Sequence, residues 1–208
     1  QYSSEFMDVY SFKKDTVSEM HFKKGKAKGE LKTTPIEDKK LQRTGTLTRW
    51  RPDIEVFTDI KIPHEYFSDI LHRQSVVTAG IRFILRLEQE DKSFLEQEFL
   101  YQNGISDYLA EMVGESSLTE PVNWHLETQG RDREDKPEYK LKADFSFSVS
   151  NTVNTIEYYH NSSYLEHGGA PDKAARSAFV YAIDKYLKNN GKYNKTESKI
   201  TFGDVEDS

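Results

Sequence analysis

The chain has 208 residues, enough for one large domain or two modest ones. Hydrophobic residues make up 36% and charged residues 31%, which describes a core assembled from amphipathic elements; no run of 18 apolar residues could cross a membrane. Zero cysteines exclude disulfides and thiolate zinc sites and fit a cytoplasmic setting, and a net charge of −6 excludes a uniformly basic nucleic-acid coat.

That charge is unevenly placed. Between Glu88 and Glu120 there are nine acids and one Lys, whereas Lys173 to Lys195 holds six Lys/Arg and one acid. An acidic middle beside a basic C-terminal helix leaves room for a local DNA contact, although two solvated faces explain the same pattern. The chain starts Gln1-Tyr2-Ser3-Ser4 rather than at Met and stops at Val205-Glu206-Asp207-Ser208, so it is expected to be a fragment of a longer protein.

In chain order, residues 6 to 34 predict two or three strands, with turns at Lys13-Lys14-Asp15 and at Lys24 to Gly29. The second turn is basic and holds Gly25 and Gly29, but it lacks P-loop spacing and no helix follows; a solvated hairpin is expected. Next comes Gln42-Arg43-Thr44-Gly45-Thr46-Leu47-Thr48-Arg49-Trp50-Arg51-Pro52-Asp53. Leu47, Arg49 and Arg51 alternate with Thr48 and Trp50 as in a strand, and Pro52 ends it. Two hydroxyls flank a residue without Cβ at Thr44-Gly45-Thr46, where backbone can approach a ligand closely; a plain turn into a strand is equally open on spacing alone.

Tyr66, Phe67, Ile70, Leu71 and Val77 recur at helical spacing and predict a helix over 64–78, stopped by Gly80. Strands are expected over 81–88 and 94–101, a short helix over 105–113 ending at Gly114, and a strand over 121–128. The charged loop 131–136 carries no recognisable chemistry. Alternation of Leu141, Ala143, Phe145, Phe147 and Val149 predicts a strand over 139–150, expected to pair with 156–160 across a polar turn at 151–154. Gly168-Gly169 permits a bend, Pro171 suits a first helical turn, and Ala175, Phe179, Ile183 and Tyr186/Leu187 make the stripe of a helix stopped at Asn189-Asn190-Gly191.

Three blocks, in order, resemble the DNA gyrase B and topoisomerase IV B family. Arg43-Thr44-Gly45-Thr46 and its strand resemble the element that closes the family's nucleotide pocket. Leu100-Tyr101-Gln102-Asn103-Gly104-Ile105 resembles the aromatic-Tyr-x-x-Gly-Ile signature that opens the second domain, with Gln102 and Asn103 replacing the usual acid and Gly. Tyr158 to Pro171 resembles the Gly-Gly stretch before the transducer's long helix, with Ala170-Pro171 where the family has Thr-His. His72 lies in a degraded version of the family's Arg-Leu-Arg-Glu-Leu run, so the resemblance is to a divergent branch.

The resemblance implies an α+β fold: residues 1–103 as the C-terminal part of a Bergerat-type (GHKL) ATPase domain, and 104–208 as a ribosomal-S5-like transducer domain cut before its Gln-x-Lys loop. It implies the ATPase subunit of a type II DNA topoisomerase, using ATP and Mg²⁺, acting on DNA with a gyrase A-type subunit and dimerising through the ATPase region. Thr46 would join the hydrogen-bond network of the adenine, an Asp and an ordered water, Gly45 would allow the close approach, and Thr48 stands where the family commonly has an aliphatic residue near the pocket floor. Lys173, Arg176, Lys185 and Lys188 would be candidates for DNA contact. The catalytic Glu, the Mg²⁺-binding Asn and the glycine-rich lid precede this segment in the family, so the fragment is expected neither to hydrolyse ATP nor to hold ATP and Mg²⁺ alone. The six histidines show no paired metal spacing. The alternatives are a non-catalytic α+β interaction module, or another ATPase of the same superfamily such as a mismatch-repair protein.

Overall fold

In the computed structural model, residues 1–194, 196 and 198–206 are described. The chain divides into two compact units, Gln1–Pro63 and His64–Ser208.

The first unit is a sheet. Strands β1 (Ser4–Lys14) and β2 (Thr16–Lys23) form a hairpin in which Phe12 faces Val17 and Phe6 faces Lys23. The turn is tighter than the expected Lys13-Lys14-Asp15: both lysines stay in β1, with Lys14 at φ 53°. Within the expected turn at Lys24 to Gly29 lies a two-residue strand, β3 (Lys26–Ala27), and β4 (Lys32–Pro35) also pairs with β2. The Thr-Gly-Thr segment is β5 (Arg43–Pro52), antiparallel to β1 along its whole length, from Lys14↔Arg43 to Ser4↔Pro52. Sheet order is β3-β2-β1-β5, with β4 also on β2, so β5 is an edge strand among the described residues. It ends because Pro52 has no N–H for the ladder. Asp53, 4% exposed, then builds the turn: its carboxylate accepts the Glu55 N–H at 2.9 Å, and its carbonyl accepts from Val56 and Phe57 at 3.0 Å each.

In the second unit, helix α1 (His64–Val77) packs on the hairpin of β6 (Phe83–Glu88) and β7 (Phe94–Phe99), and α2 (Ile105–Val113) packs on α1. The most enclosed apolar side chains are Val76, Phe99 and Val113, one from each side of this junction. Gly104 enters α2 at φ 60°, where a Cβ would stand 3.0 Å from the Val76 carbonyl oxygen. Both strands of the hairpin are shorter than expected, and beyond their ends the Gly80 N–H donates to the Tyr101 carbonyl at 2.9 Å.

Strands β8 (Val122–Gly130) and β9 (Tyr139–Phe147) pair with each other from Val122↔Phe147 to Gly130↔Tyr139. This corrects the expected pairing of 139–150 with 156–160. The charged loop 131–138 is the hairpin link, closed by Arg131 on Glu138 at 2.7 Å. The strand stops at Phe147 because serine hydroxyls take over the bonding: Ser148 Oγ meets Ser117 Oγ at 2.7 Å, and Ser150 Oγ meets Ser116 Oγ at 2.9 Å. The segment expected to pair with β9 instead forms a small hairpin of β10 (Tyr159–His160) and β11 (Ser163–Tyr164).

Helix α3 (Gly169–Asn189) follows, entered through Gly168 and Gly169 at φ 67° and 69°. Its Phe179 ring lies 5.6 Å from both Phe145 and Phe147 and 6.5 Å from Phe202 of α4 (Phe202–Glu206). Such ring pairs contribute about 0.5–1.5 kcal/mol each beyond area burial and tie α3 to the β8–β9 ribbon. Among the described residues no helix is long and apolar enough to cross a membrane.

Candidate functional site: the threonine face of the first sheet

Cross-strand partners share a face, so the register sorts the sheet of the first unit into two surfaces. Thr44, Thr46, Thr48 and Trp50 of β5 lie on one of them, opposite Lys13, Ser11, Val9 and Met7 of β1. Continuing across β2, those partners face Thr16, Ser18, Met20 and Phe22. Lys13 is the one charge on this surface among the described strand residues. The face is graded. Phe22, Met7 and Trp50 make an aromatic and thioether end; Met20, Val9 and Thr48 follow; then comes a row of hydroxyls.

That row runs straight across four strands: Thr33 of β4, Ser18 of β2, Ser11 of β1 and Thr46 of β5. Ser18 and Thr33 join hydroxyl to hydroxyl at 2.8 Å. Thr46 and Ser11 are both exposed, so at this end the row presents groups that can donate and accept. A surface of hydroxyls and apolar side chains suits a planar polar ring laid against it: the apolar part takes the ring face, and the hydroxyls take its edge.

Gly45 sits opposite Phe12, within the alternation of the other surface. Its φ is 148°, and a Cβ added there would meet nothing within 4 Å. Backbone conformation rather than crowding therefore demands glycine, and the space beside it is open. The structure thus brings Thr46 and Thr48 onto one surface and leaves Gly45, at its positive φ, in unbroken register between Thr44 and Thr46.

The four cations expected to contact DNA lie on α3, in the second unit. Arg176 is engaged: its guanidinium is 2.7 Å from Asp172, 3.6 Å from Glu206 and 4.3 Å above the Phe202 ring. Its hydrogen bond to Asp172 holds that carboxyl below the usual carboxylate range. Lys188 donates to Asp184 at 2.5 Å and lowers that carboxyl in the same way. Lys173 and Lys185 are exposed, the latter 5.8 Å from the Tyr181 ring. Lys195, the last of the basic run, lies outside the described residues.

Sequence reading missed two clusters. A tyrosine network centres on Glu157, which accepts from Tyr108 at 3.0 Å and Tyr159 at 2.6 Å; burial first, then these bonds, push both phenols well above the usual range. Beside it, His72 Nε2 lies 3.0 Å from the Tyr101 hydroxyl in an open groove of about 440 Å³ that Asp69 and Glu111 also line. Sequence spacing gives no sign of either, since the partners come from elements up to 49 residues apart. The hydroxyl row was missed for a related reason: it exists only once β5 is paired with β1.

The sequence model of the DNA gyrase B family matches residues 104–208. The chain is 24% identical over 187 residues to the B-type subunit of DNA gyrase from Staphylococcus aureus, covering 88% of this chain and 27% of that protein. To the B-type subunit of DNA topoisomerase 4 from Bacillus subtilis it is 23% identical over 206 residues, covering 98% and 29%. It therefore spans under a third of the length of these curated relatives. Among solved structures, the 43K ATPase domain of Thermus thermophilus gyrase B in complex with an aminocoumarin superposes with TM-score 0.68 at 22% identity, over 98% of this chain and 52% of that one. That likeness shows the fold, which is the α+β arrangement expected from the sequence.

Proposed function

Because the chain belongs to the DNA gyrase B family, we propose that it is the ATPase-to-transducer segment of a type II DNA topoisomerase subunit, in which ATP binding and hydrolysis drive DNA strand passage. The observation that carries this reading is the near-charge-free threonine face of β5, β1 and β2, formed by the Thr-Gly-Thr segment. ATP supplies the hydrolysable phosphate bond when the longer protein binds it with Mg²⁺. This chain's part is one wall: the Thr46 hydroxyl takes the polar edge of the adenine, Gly45 supplies the backbone conformation beside it, and Thr48 with Val9 and Met20 takes its face.

The domain boundary falls at 103/104, a reading supported by the start of the family match at residue 104 and by Gly104 at the head of α2. On this reading the longer protein is cytoplasmic, dimerises through its ATPase region, and works with a gyrase A-type subunit on DNA. Lys173 and Lys185 on α3 are the better placed of the four helix cations to meet a phosphate, since Arg176 and Lys188 are each held by a carboxylate one turn away.

Nucleotide titration tests the wall. In the longer protein, Thr46→Val keeps the side-chain shape but removes the hydroxyl and weakens ATP binding about two- to tenfold, as loss of one hydrogen bond does. The 208-residue chain alone shows no ATP turnover. Unchanged ATP affinity in Thr46→Val, or turnover by the chain alone, contradicts the assignment.

A further inference from the structure

The surface of the first sheet that points away from Thr46 is basic. Along β5 it carries Arg43, Arg49 and Arg51, whose β1 partners are Lys14, Asp8 and Phe6. Beyond them Lys23 pairs with Phe6 and with Lys26, and Lys32 pairs with Glu19. Seven cations therefore share this face with three carboxylates: Asp8, which faces His21 at 2.7 Å, Glu19, and Glu5, which is 3.4 Å from Arg51. Lys13 is the single charge on the opposite face among the described strand residues. The whole first unit holds 13 Lys/Arg against 10 Asp/Glu, whereas residues 64–208 hold 16 against 25.

We propose that this arginine-lined face binds the phosphate backbone of duplex DNA, a contact separate from the helix cations of α3. The inference rests on the proposed DNA-handling function. Its reach is suitable: Arg43 to Arg51 spans about 27 Å of strand at roughly 3.4 Å per residue, or about eight base-pair steps of a duplex. All three arginines are exposed. Their guanidinium groups are held rather than free to sweep. Arg43 lies 3.9 Å from the centre of the Phe12 ring and Arg49 5.9 Å from that of Phe6, cation–π contacts, the first of them close, that leave guanidinium N–H groups for phosphate oxygens.

The same geometry selects duplex over single strand. An open sheet face binds unpaired bases by offering ring faces for stacking. Here the Phe12 ring is covered by Arg43, and Tyr10 meets His21 edge-on at 5.7 Å. Charge is on offer, and stacking platforms are not.

Fluorescence anisotropy with a labelled duplex of about 20 base pairs and the 208-residue chain, between about 50 and 200 mM salt, tests this directly. The expected result is salt-dependent binding that the triple variant Arg43→Gln/Arg49→Gln/Arg51→Gln weakens at least tenfold. The slope of log K on log salt should become shallower by roughly 2.7 for three lost phosphate contacts. The matching triple Arg→Lys variant keeps affinity within about threefold, and Lys173→Gln/Lys185→Gln leaves the difference between wild type and the triple Gln variant intact. Glu5→Gln, which releases Arg51, tightens binding two- to threefold. Triple Gln binding as wild type does, Glu5→Gln without tightening, or a single strand binding more tightly than the duplex each overturns the proposal. Strand passage by the longer protein without duplex binding by this chain removes this inference alone; duplex binding without strand passage removes the topoisomerase reading alone.

Discussion

Thr46 and Thr48 differ in what they offer although they share a face. Thr46 stands at the end of the hydroxyl row beside Ser11, and Thr48 faces Val9 among apolar side chains. Ser11→Ala should therefore disturb the Thr46 end more than the Thr48 end. Glycine positions are sharper still. Gly168 has φ 67°, and a Cβ there would lie 2.6 Å from the Asp172 Cβ. Gly168→Ala combines left-handed backbone strain with displacement of the Asp172 side chain that holds Arg176. It should lower stability by about 1–3 kcal/mol, read as a shift in urea midpoint at constant slope. Gly45→Ala carries the backbone cost alone, because nothing stands within 4 Å, and should be the milder of the two.

At the scale of elements, the polar surface of the β8–β9 ribbon makes a pH prediction. Glu127 accepts from Lys140 and Lys142 at 2.6 Å each, and these bonds lower its carboxyl to about 2. His125 lies 2.6 Å from Asp144, whose hydrogen bond raises the imidazole above its ordinary value. A raised histidine stabilises the folded ribbon fully below about pH 6.5, the unfolded value, and the contribution fades as pH rises through the folded value. A lowered carboxyl works the other way: its contribution is present above about 4.5 and lost as pH falls toward 2. NMR titration should place the His125 midpoint above that of an unstructured histidine, and Asp144→Asn should lower it, leaving the smaller pull of Glu127 at 3.6 Å; a wild-type midpoint at the ordinary value contradicts the ion pair. Both groups are exposed, so salt should shrink the effect.

Elements whose signals are local were legible from the sequence. Helix α2 runs over the expected 105–113 because Gly104 and Gly114 bracket a regular apolar face, and the β1–β2 hairpin closes over one short turn. The partner of β9 was not legible. A polar tetrad at 151–154 looks like a hairpin turn, whereas the loop used, 131–138, is longer and charged. The choice between them is made by Trp124 and Val122 matching Phe145 and Phe147 on one face. In the same way the Thr-Gly-Thr segment marked a candidate site, but its surroundings depended on the pairing of β5 with β1 across some 30 residues. Register decides which side chains accompany Thr46 and which accompany the arginines, and a one-residue slip would exchange the two sets.

On the scale of the whole molecule, charge and exposure mark the surfaces that the proposed function would cover. The two tryptophans make this measurable: Trp50 is 51% exposed at the apolar end of the threonine face, and Trp124 is 63% exposed on the β8–β9 ribbon. In the isolated chain their emission should be solvent-like and open to an aqueous quencher, with little red shift on unfolding. If the threonine face is the proposed pocket wall, Trp50 should be shielded in the longer protein. A strongly blue-shifted emission from the isolated chain would show that these faces are closed by the chain itself. The proposed function meets its most direct test when supercoiled plasmid is incubated with the longer protein and its partner subunit, with and without ATP, and the topoisomers are resolved on a gel. The expected result is an ATP-dependent change in plasmid topology that Thr46→Val reduces; a plasmid left unchanged under every nucleotide condition contradicts it.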